Sequence, residues 1–216
     1  MNYSVVIVAA GKSERFSTET SKILYQLPSG KRVIDQTMEV FLNDCWCKQI
    51  IIVLNEEGME YYIDKDKQGK IVLALGGDNR MESVNNGLMA VKEDVVLIHD
   101  GARPWIKVEQ VHLLVEALEK DSAAILTVPI QDTVKKIEDE YIIGTVDRST
   151  LVRAQTPQAF YTNEIRPCYK EAIEKRIIAT DDAEVYQIIT KNKIKWVSGS
   201  IDNEKITTLS DVERRK

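Results

Sequence analysis

The first place in this chain where chemistry could be done is a run of small residues followed by two spaced cations: Ala9-Ala10-Gly11, then Arg15 and Lys22. Gly11 tolerates φ > 0 and lets a ligand approach the backbone closely. The polar Lys12-Ser13-Glu14-Arg15 could turn its amides toward an anion. Together these residues read as a cradle for a polyphosphate. Gly11-Lys12-Ser13 imitates the end of a P-loop, but that motif's first glycine would fall on Val6. The dinucleotide fingerprint fails as well, because Ser13 stands where its second glycine belongs.

Two further clusters have the same character. Gly76-Gly77-Asp78-Asn79-Arg80 is followed by Ser83, and His99 leads into Asp100-Gly101-Ala102-Arg103-Pro104. Asp and Gly are common turn residues, so either cluster alone reads as a turn. An aspartate beside a phosphate cradle is also a usual Mg²⁺ ligand, because the ion takes hard oxygen ligands and bridges phosphate oxygens.

The elements that must position these clusters follow from apolar patterning. The continuous apolar run Val5-Val6-Ile7-Val8-Ala9-Ala10, ended by Gly11, reads as a strand buried on both faces. Helical spacing is predicted for 33–41, a strand for 49–54, a polar helix for 56–66 and a strand for 71–75. A helix over 81–91, a strand over 95–98, an amphipathic helix over 108–120 and a strand over 123–128 continue the alternation. This rhythm predicts a mostly parallel sheet with right-handed crossovers and helices on both faces. All three polar clusters then fall at carboxyl ends of strands, where open parallel sheets hold ligands.

The rhythm breaks after Pro129. Segments 133–137 and 141–146 flank Glu138-Asp139-Glu140 and predict a polar hairpin, either a lid or an arm that pairs with a second subunit. Beyond it, 153–160 reads as extended and interrupted by Pro157. Helices are predicted over 163–175 and 182–190, and a strand over 194–197. A short C-terminal helix is expected to start with Ser210 as N-cap. No repeat or linker divides the chain, so residues 1–216 read as a single domain.

At 216 residues, 44% hydrophobic and 29% charged, the composition is that of a globular domain. A net charge of −5 argues against nucleic acid as a partner. With no long apolar span and Met1-Asn2-Tyr3 leading straight into the first strand, no membrane partner and a cytoplasmic location are expected. Cys45, Cys47 and Cys168 read as ordinary reduced thiols. His99 and His112 are too few for a zinc site, and neither reads as catalytic.

The strings AAGKSERF with the later SK, GGDNRMESV, HDGARP, DTV, TVDRSTLVRAQTPQAF, TDDAEVY and DNEKIT run in order over nearly the whole chain. Together they closely resemble the 2-C-methyl-D-erythritol 4-phosphate cytidylyltransferases, with the ribitol-5-phosphate cytidylyltransferases as a sibling family. The resemblance implies a Rossmann-like α/β nucleotidyltransferase domain and a homodimer. It implies that a β-arm, about 131–151, reaches into the partner's active site. The implied reaction is CTP plus a polyol phosphate, with Mg²⁺, giving a CDP-polyol and pyrophosphate.

Carried over by motif position, the resemblance puts nucleotide binding on Ala9, Ala10, Gly11, Gly77, Asp78 and Ser83, and the catalytic cations at Arg15 and Lys22. It puts the metal on Asp100, with Asp202 second. The polyol phosphate falls to Arg103, Thr133, Lys205 and, from the partner's arm, Arg148. Arg148 and Lys205 are thus catalytic as well, while Thr156 and Thr180 occupy further motif positions. Arg148 within Val146-Asp147-Arg148, and Asp100-Gly101-Ala102-Arg103, favour the erythritol phosphate over the ribitol phosphate.

Two departures stand out. The family usually reads Pro-Lys-Gln where this chain has Ser21-Lys22-Ile23, which drops the proline's fixed φ. Glu204 takes the place of an apolar residue and is expected to face solvent.

The implied chemistry explains the residue types. The attacking phosphate oxygen is already an anion at neutral pH, so no strong base is needed. The difficulty lies in joining two anions, and positioning and electrostatics must overcome it. A catalytically dead nucleotide-binding protein is the reading from another class; retention of Arg15, Lys22, Asp100 and Arg148 argues against it.

Overall fold

Parallel pairing of buried apolar strands builds the frame. The computed structural model describes residues 1–11, 16, 21–62 and 69–214. Its first half alternates β1 (Tyr3–Val8), α1 (Val33–Asn43), β2 (Cys47–Leu54), α2 (Glu56–Tyr62), β3 (Ile71–Leu75), α3 (Arg80–Met89) and β4 (Val95–Asp100). Next come α4 (Val108–Ala117), β5 (Ala123–Pro129), β6 (Lys135–Glu138), β7 (Tyr141–Thr145) and β8 (Val152–Tyr161). The chain ends with α5 (Thr162–Glu174), α6 (Asp182–Thr190), β9 (Lys195–Ser198) and α7 (Leu209–Glu213).

Seven strands form the central sheet in the order β3-β2-β1-β4-β8-β5-β9. Every pairing in it is parallel except the two made by β8, which is antiparallel to both β4 and β5. Val5 and Ile7 pack into a core with Ile34, Phe41 and Leu114, while Val6 packs on the opposite face with Leu88, Tyr169 and Tyr186. A strand sandwiched this way needs apolar residues on both faces, hence its unbroken apolar run. A smaller core joins Phe16, Leu27 and Val33 to Ile206 and Val212, fastening the C-terminal segment near the first loop.

Two expectations are corrected. Pro157 does not interrupt the extended segment; β8 runs unbroken through it. The pairing with β5 slips between Ile125↔Gln158 and Thr127↔Ala154, so residues 155–157 form a bulge. A bulge carries a proline without losing a ladder N–H and re-aims its neighbours. Ser210 is not the N-cap of α7. Thr208 holds that position, and the Asp211 carboxylate accepts from the amides of Thr207 and Thr208, each at 2.8 Å.

The hairpin exists as a separate two-stranded sheet, β6–β7, turning at Asp139 with φ 50°. Its base is anchored where Pro129 of β5 pairs with Val152 of β8. Ile137, Tyr141 and Ile142 remain largely exposed on it. Among the described residues, no helix is long and apolar enough to cross a membrane.

Candidate active site

The carboxyl ends of β1, β3 and β4 open on one cleft of about 630 Å³. Register makes this unavoidable: Val8, the last residue of β1, pairs with Asp100, the last residue of β4. Ala9, Ala10 and Gly11 line the cleft beside Lys22. Across from them stand Gly77, Asp78 and Ser83, and Asp100 and Lys205 complete the set. Gly11 is not in a positive-φ conformation, and among the described residues a Cβ built on it meets nothing within 4 Å, so left-handed geometry is not what calls for glycine here. Arg15 lies outside the described residues.

The wall after β3 requires its glycines. A Cβ on Gly76 would sit 2.4 Å from the Ala10 Cβ, and one on Gly77 2.3 Å from the Glu82 Cβ. The loop is held from within: the Gly77 amide donates to Ser83 Oγ at 3.1 Å, and the Asp78 amide donates to Glu82 Oε2 at 2.9 Å. Asn79 caps α3 by accepting from the Glu82 amide at 3.0 Å.

Asp100 is the electrostatic centre. Lys205 Nζ lies 2.8 Å from its carboxylate, Arg103 Nε 3.5 Å and Arg80 Nη2 3.8 Å. Burial alone would raise the Asp100 carboxyl; Lys205, then Arg80 and Arg103, outweigh it and hold the group well below the usual carboxylate range. Arg103 is turned onto Asp100 and onto the Asn203 carbonyl, 2.7 Å from Nη1, and does not line the cleft.

His99 is fully buried, and burial pushes its pKa down to about 4. Its tautomer is fixed by its partners. The Arg103 carbonyl beside Nε2 can only accept, so the neutral ring carries its proton on Nε2 and Nδ1 accepts from the Thr156 hydroxyl at 3.0 Å, while Thr156 Oγ1 accepts from the Asp100 amide at 3.0 Å. His99 Nε2–H then donates to the Arg103 carbonyl at 3.2 Å. With both nitrogens engaged, His99 orders the backbone on either side of the cleft floor and has no proton to trade.

Sequence reasoning missed Arg80 as a site residue. Its guanidinium lines the cleft and makes paired 2.8 Å bonds to both oxygens of Asp182, which is fully buried and also accepts from the Tyr169 hydroxyl. The signal was present, since Arg80 and Asp182 each sit inside a family string. Asn79 and Thr207 also line the cleft.

Other predicted residues stand elsewhere. Asp202 is not brought to Asp100. It lines a separate cavity of about 560 Å³ with Lys31, Glu39 and Trp105, and its amide donates to Ser200 Oγ at 3.1 Å. Thr133 and Arg148 are exposed near the base of the hairpin, and Arg148 Nη1 donates to the Gln131 carbonyl. Neither enters the cleft of its own chain. Thr180 braces the start of α6 through its amide and hydroxyl, 2.6 and 2.8 Å from Glu184 Oε2. Glu204 is exposed, as expected.

Among the described residues no three His, Cys, Asp or Glu side chains gather into a metal cage. Magnesium does not need one, since it commonly takes one or two carboxylates together with substrate phosphates and keeps several waters. Asp100, ionised at the cleft floor, fits the single carboxylate such an ion requires.

Comparisons with known proteins bear on this cleft. The family model for IspD, 2-C-methyl-D-erythritol 4-phosphate cytidylyltransferase, matches residues 3–215. The enzyme of that name from Halalkalibacterium halodurans is 39% identical over 221 residues, covering 98% of this chain and 94% of the relative. The one from Bacillus velezensis is 39% identical over 217 residues, covering 98% and 93%. A crystal structure of 4-diphosphocytidyl-2C-methyl-D-erythritol synthase from Anaerococcus prevotii superposes with a TM-score of 0.88 at 29% identity, covering 99% of this chain and 93% of that one. The Francisella tularensis 2-C-methyl-D-erythritol 4-phosphate cytidylyltransferase gives 0.84 at 27% identity, covering 100% and 98%.

Proposed function

The chain belongs to the 2-C-methyl-D-erythritol 4-phosphate cytidylyltransferase family, and on that premise we propose that it transfers CMP from CTP to 2-C-methyl-D-erythritol 4-phosphate, releasing pyrophosphate. The observation that carries this reading is the convergence on one cleft of the Ala9-Ala10-Gly11 loop, Lys22, the Gly77–Ser83 wall and the Asp100–Lys205 pair.

The wall carrying Gly77, Asp78 and Ser83 takes the cytosine and ribose. Gly11 and its neighbours cradle the triphosphate, with Lys22 and Arg15 stabilising charge as it moves to the equatorial and leaving oxygens. A phosphate oxygen of the acceptor attacks the α-phosphorus of CTP in line, that P–O bond forms, and the bond to pyrophosphate breaks. No side chain need remove a proton, which agrees with the buried, fully engaged His99. Mg²⁺, held through Asp100 and the phosphates, would supply Lewis-acid stabilisation of the triphosphate. Lys205, released from Asp100 toward the acceptor phosphate, orients the nucleophile, with Arg103 behind it on the Asp100 carboxylate and the Asn203 carbonyl. Arg148 acts from the partner subunit of a homodimer, delivered by the 131–151 arm, and Thr133 contributes to the same acceptor-phosphate site. The exposed apolar residues of the β6–β7 hairpin support that role, because a single subunit leaves them in water.

The test is pyrophosphate release from CTP and Mg²⁺ with 2-C-methyl-D-erythritol 4-phosphate or D-ribitol 5-phosphate in separate reactions. Release with the first alone is expected. Release with only the second would overturn the acceptor, and silence with both would overturn the reaction.

A further inference from the structure

We propose that Asn203 is the positioning residue that sets the acceptor-phosphate end of the cleft, an assignment that rests on the transfer reaction above. Asn203 is fully buried although its neighbours Asp202 and Glu204 are exposed. An uncharged amide withdrawn from water in an otherwise exposed loop is held there by its bonds. Its Nδ2 donates to the Thr156 carbonyl at 2.8 Å. Its own carbonyl accepts from Arg103 Nη1 at 2.7 Å and from Gln155 Nε2 at 3.2 Å. Gln155 Nε2 also reaches the Ser200 carbonyl at 2.8 Å, and the Asn203 amide donates to the same carbonyl at 3.0 Å.

One residue therefore joins three parts of the site. Thr156 holds the Asp100 amide, Arg103 faces the Asp100 carboxylate, and Lys205 follows Asn203 by two residues with its ammonium on the same carboxylate. The Lys205 side chain is 41% exposed, so beyond its ion pair with Asp100 its reach is set by where its backbone stands. That backbone is pinned on one side by Asn203 and on the other by the Ile206 amide on the Ala102 carbonyl at 2.9 Å. Within the bulge of β8 the Gln155 side chain and the Thr156 carbonyl both reach this loop, while the Thr156 hydroxyl turns to Asp100 and His99. The nucleotide wall, in contrast, is braced by Glu82 and Asn79 and shares none of these bonds.

Asn203→Ala removes the bond to Thr156 without adding charge or bulk. Full-length variant and wild type are compared for kcat and KM toward each substrate and for Tm. The expected result is a fall in kcat/KM for the acceptor on the order of 10²-fold, the scale of a displacement of about 1 Å, with KM for CTP within about twofold of wild type. Gln155→Met, which removes the side-chain donor to the Asn203 and Ser200 carbonyls, should give the same split in weaker form, and it serves alone if Asn203→Ala does not fold. Parallel losses for both substrates, or a lowered Tm with unchanged kinetics, would overturn the assignment. Wild type silent with the acceptor would instead overturn the reaction reading, and the assignment with it.

Discussion

Replacing Asp182 by Asn tests how the cleft is held to the rest of the domain. Asp182 is completely buried, bonded through both oxygens to Arg80, and also accepts from Tyr169. Removing one partner of a buried pair costs about 3–5 kcal/mol, since the other charge is left uncompensated. The Arg80 side chain is 31% exposed and can regain some water, so about 3 kcal/mol is the appropriate end of that range. For a domain of this size each kcal/mol moves Tm by about 2–4 °C, which gives a drop of about 6–12 °C. Arg80 would then have only Asp100 to face, which tightens its hold there and slows turnover. The assay is thermal unfolding of Asp182→Asn, Arg80→Met and the double variant, with pyrophosphate release on each. A shift below about 2 °C, or effects that simply add in the double variant, would refute the assignment of the Arg80–Asp182 pair as the tie between α6 and the cleft.

Lys22→Ala should lower kcat about 10²-fold or more with little change in KM, and near wild-type kcat would remove Lys22 from the charge-stabilising role. Mixing inactive Arg148→Ala and Lys22→Ala subunits should restore activity through heterodimers, whereas no recovery after demonstrated subunit exchange would exclude action in trans. Gly77→Ala should raise KM for CTP at least several-fold, because its Cβ would meet Glu82 at 2.3 Å and push the wall out of place; an unchanged KM would show that this wall does not touch the nucleotide. The depressed Asp100 carboxyl binds a proton less readily folded than unfolded, so its contribution to stability is fully present above about pH 4 and is lost as the pH falls further. The Tm gap between wild type and Asp100→Asn should therefore narrow on acidification, and a gap that widens would contradict the sign.

Most of the frame was legible because buried parallel strands leave continuous apolar runs such as Ile50-Ile51-Ile52-Val53. β8 was harder to read. Pro157 normally ends a strand, and only the slipped pairing with β5 accommodates it, which is a tertiary fact. The three glycine- and acid-bearing strand ends were found from turn chemistry and do meet in space. Arg80 and Asp182 were each visible inside a family string, but their pairing was not, since nothing local links residues 102 apart in sequence. Asp202 shows the limit of motif proximity: it lies three residues from Lys205 yet lines a different cavity.

The place of β8 between β4 and β5 has a consequence for synthesis. Strands β4 and β5 follow one another in the chain yet never touch in the finished sheet. A nascent chain that has emerged only through β5 therefore carries Asp100 on a strand whose outer edge is open. That edge closes only when the chain has passed through the hairpin and returned as residues 152–161. Lys205 and Thr207 arrive later still, so no shortened product can own a complete cleft. Until β8 inserts, β4 offers unpaired backbone and the apolar Val95–Ile98 stretch to any passing strand. Premature release of this chain should yield aggregates in place of a weakly active fragment.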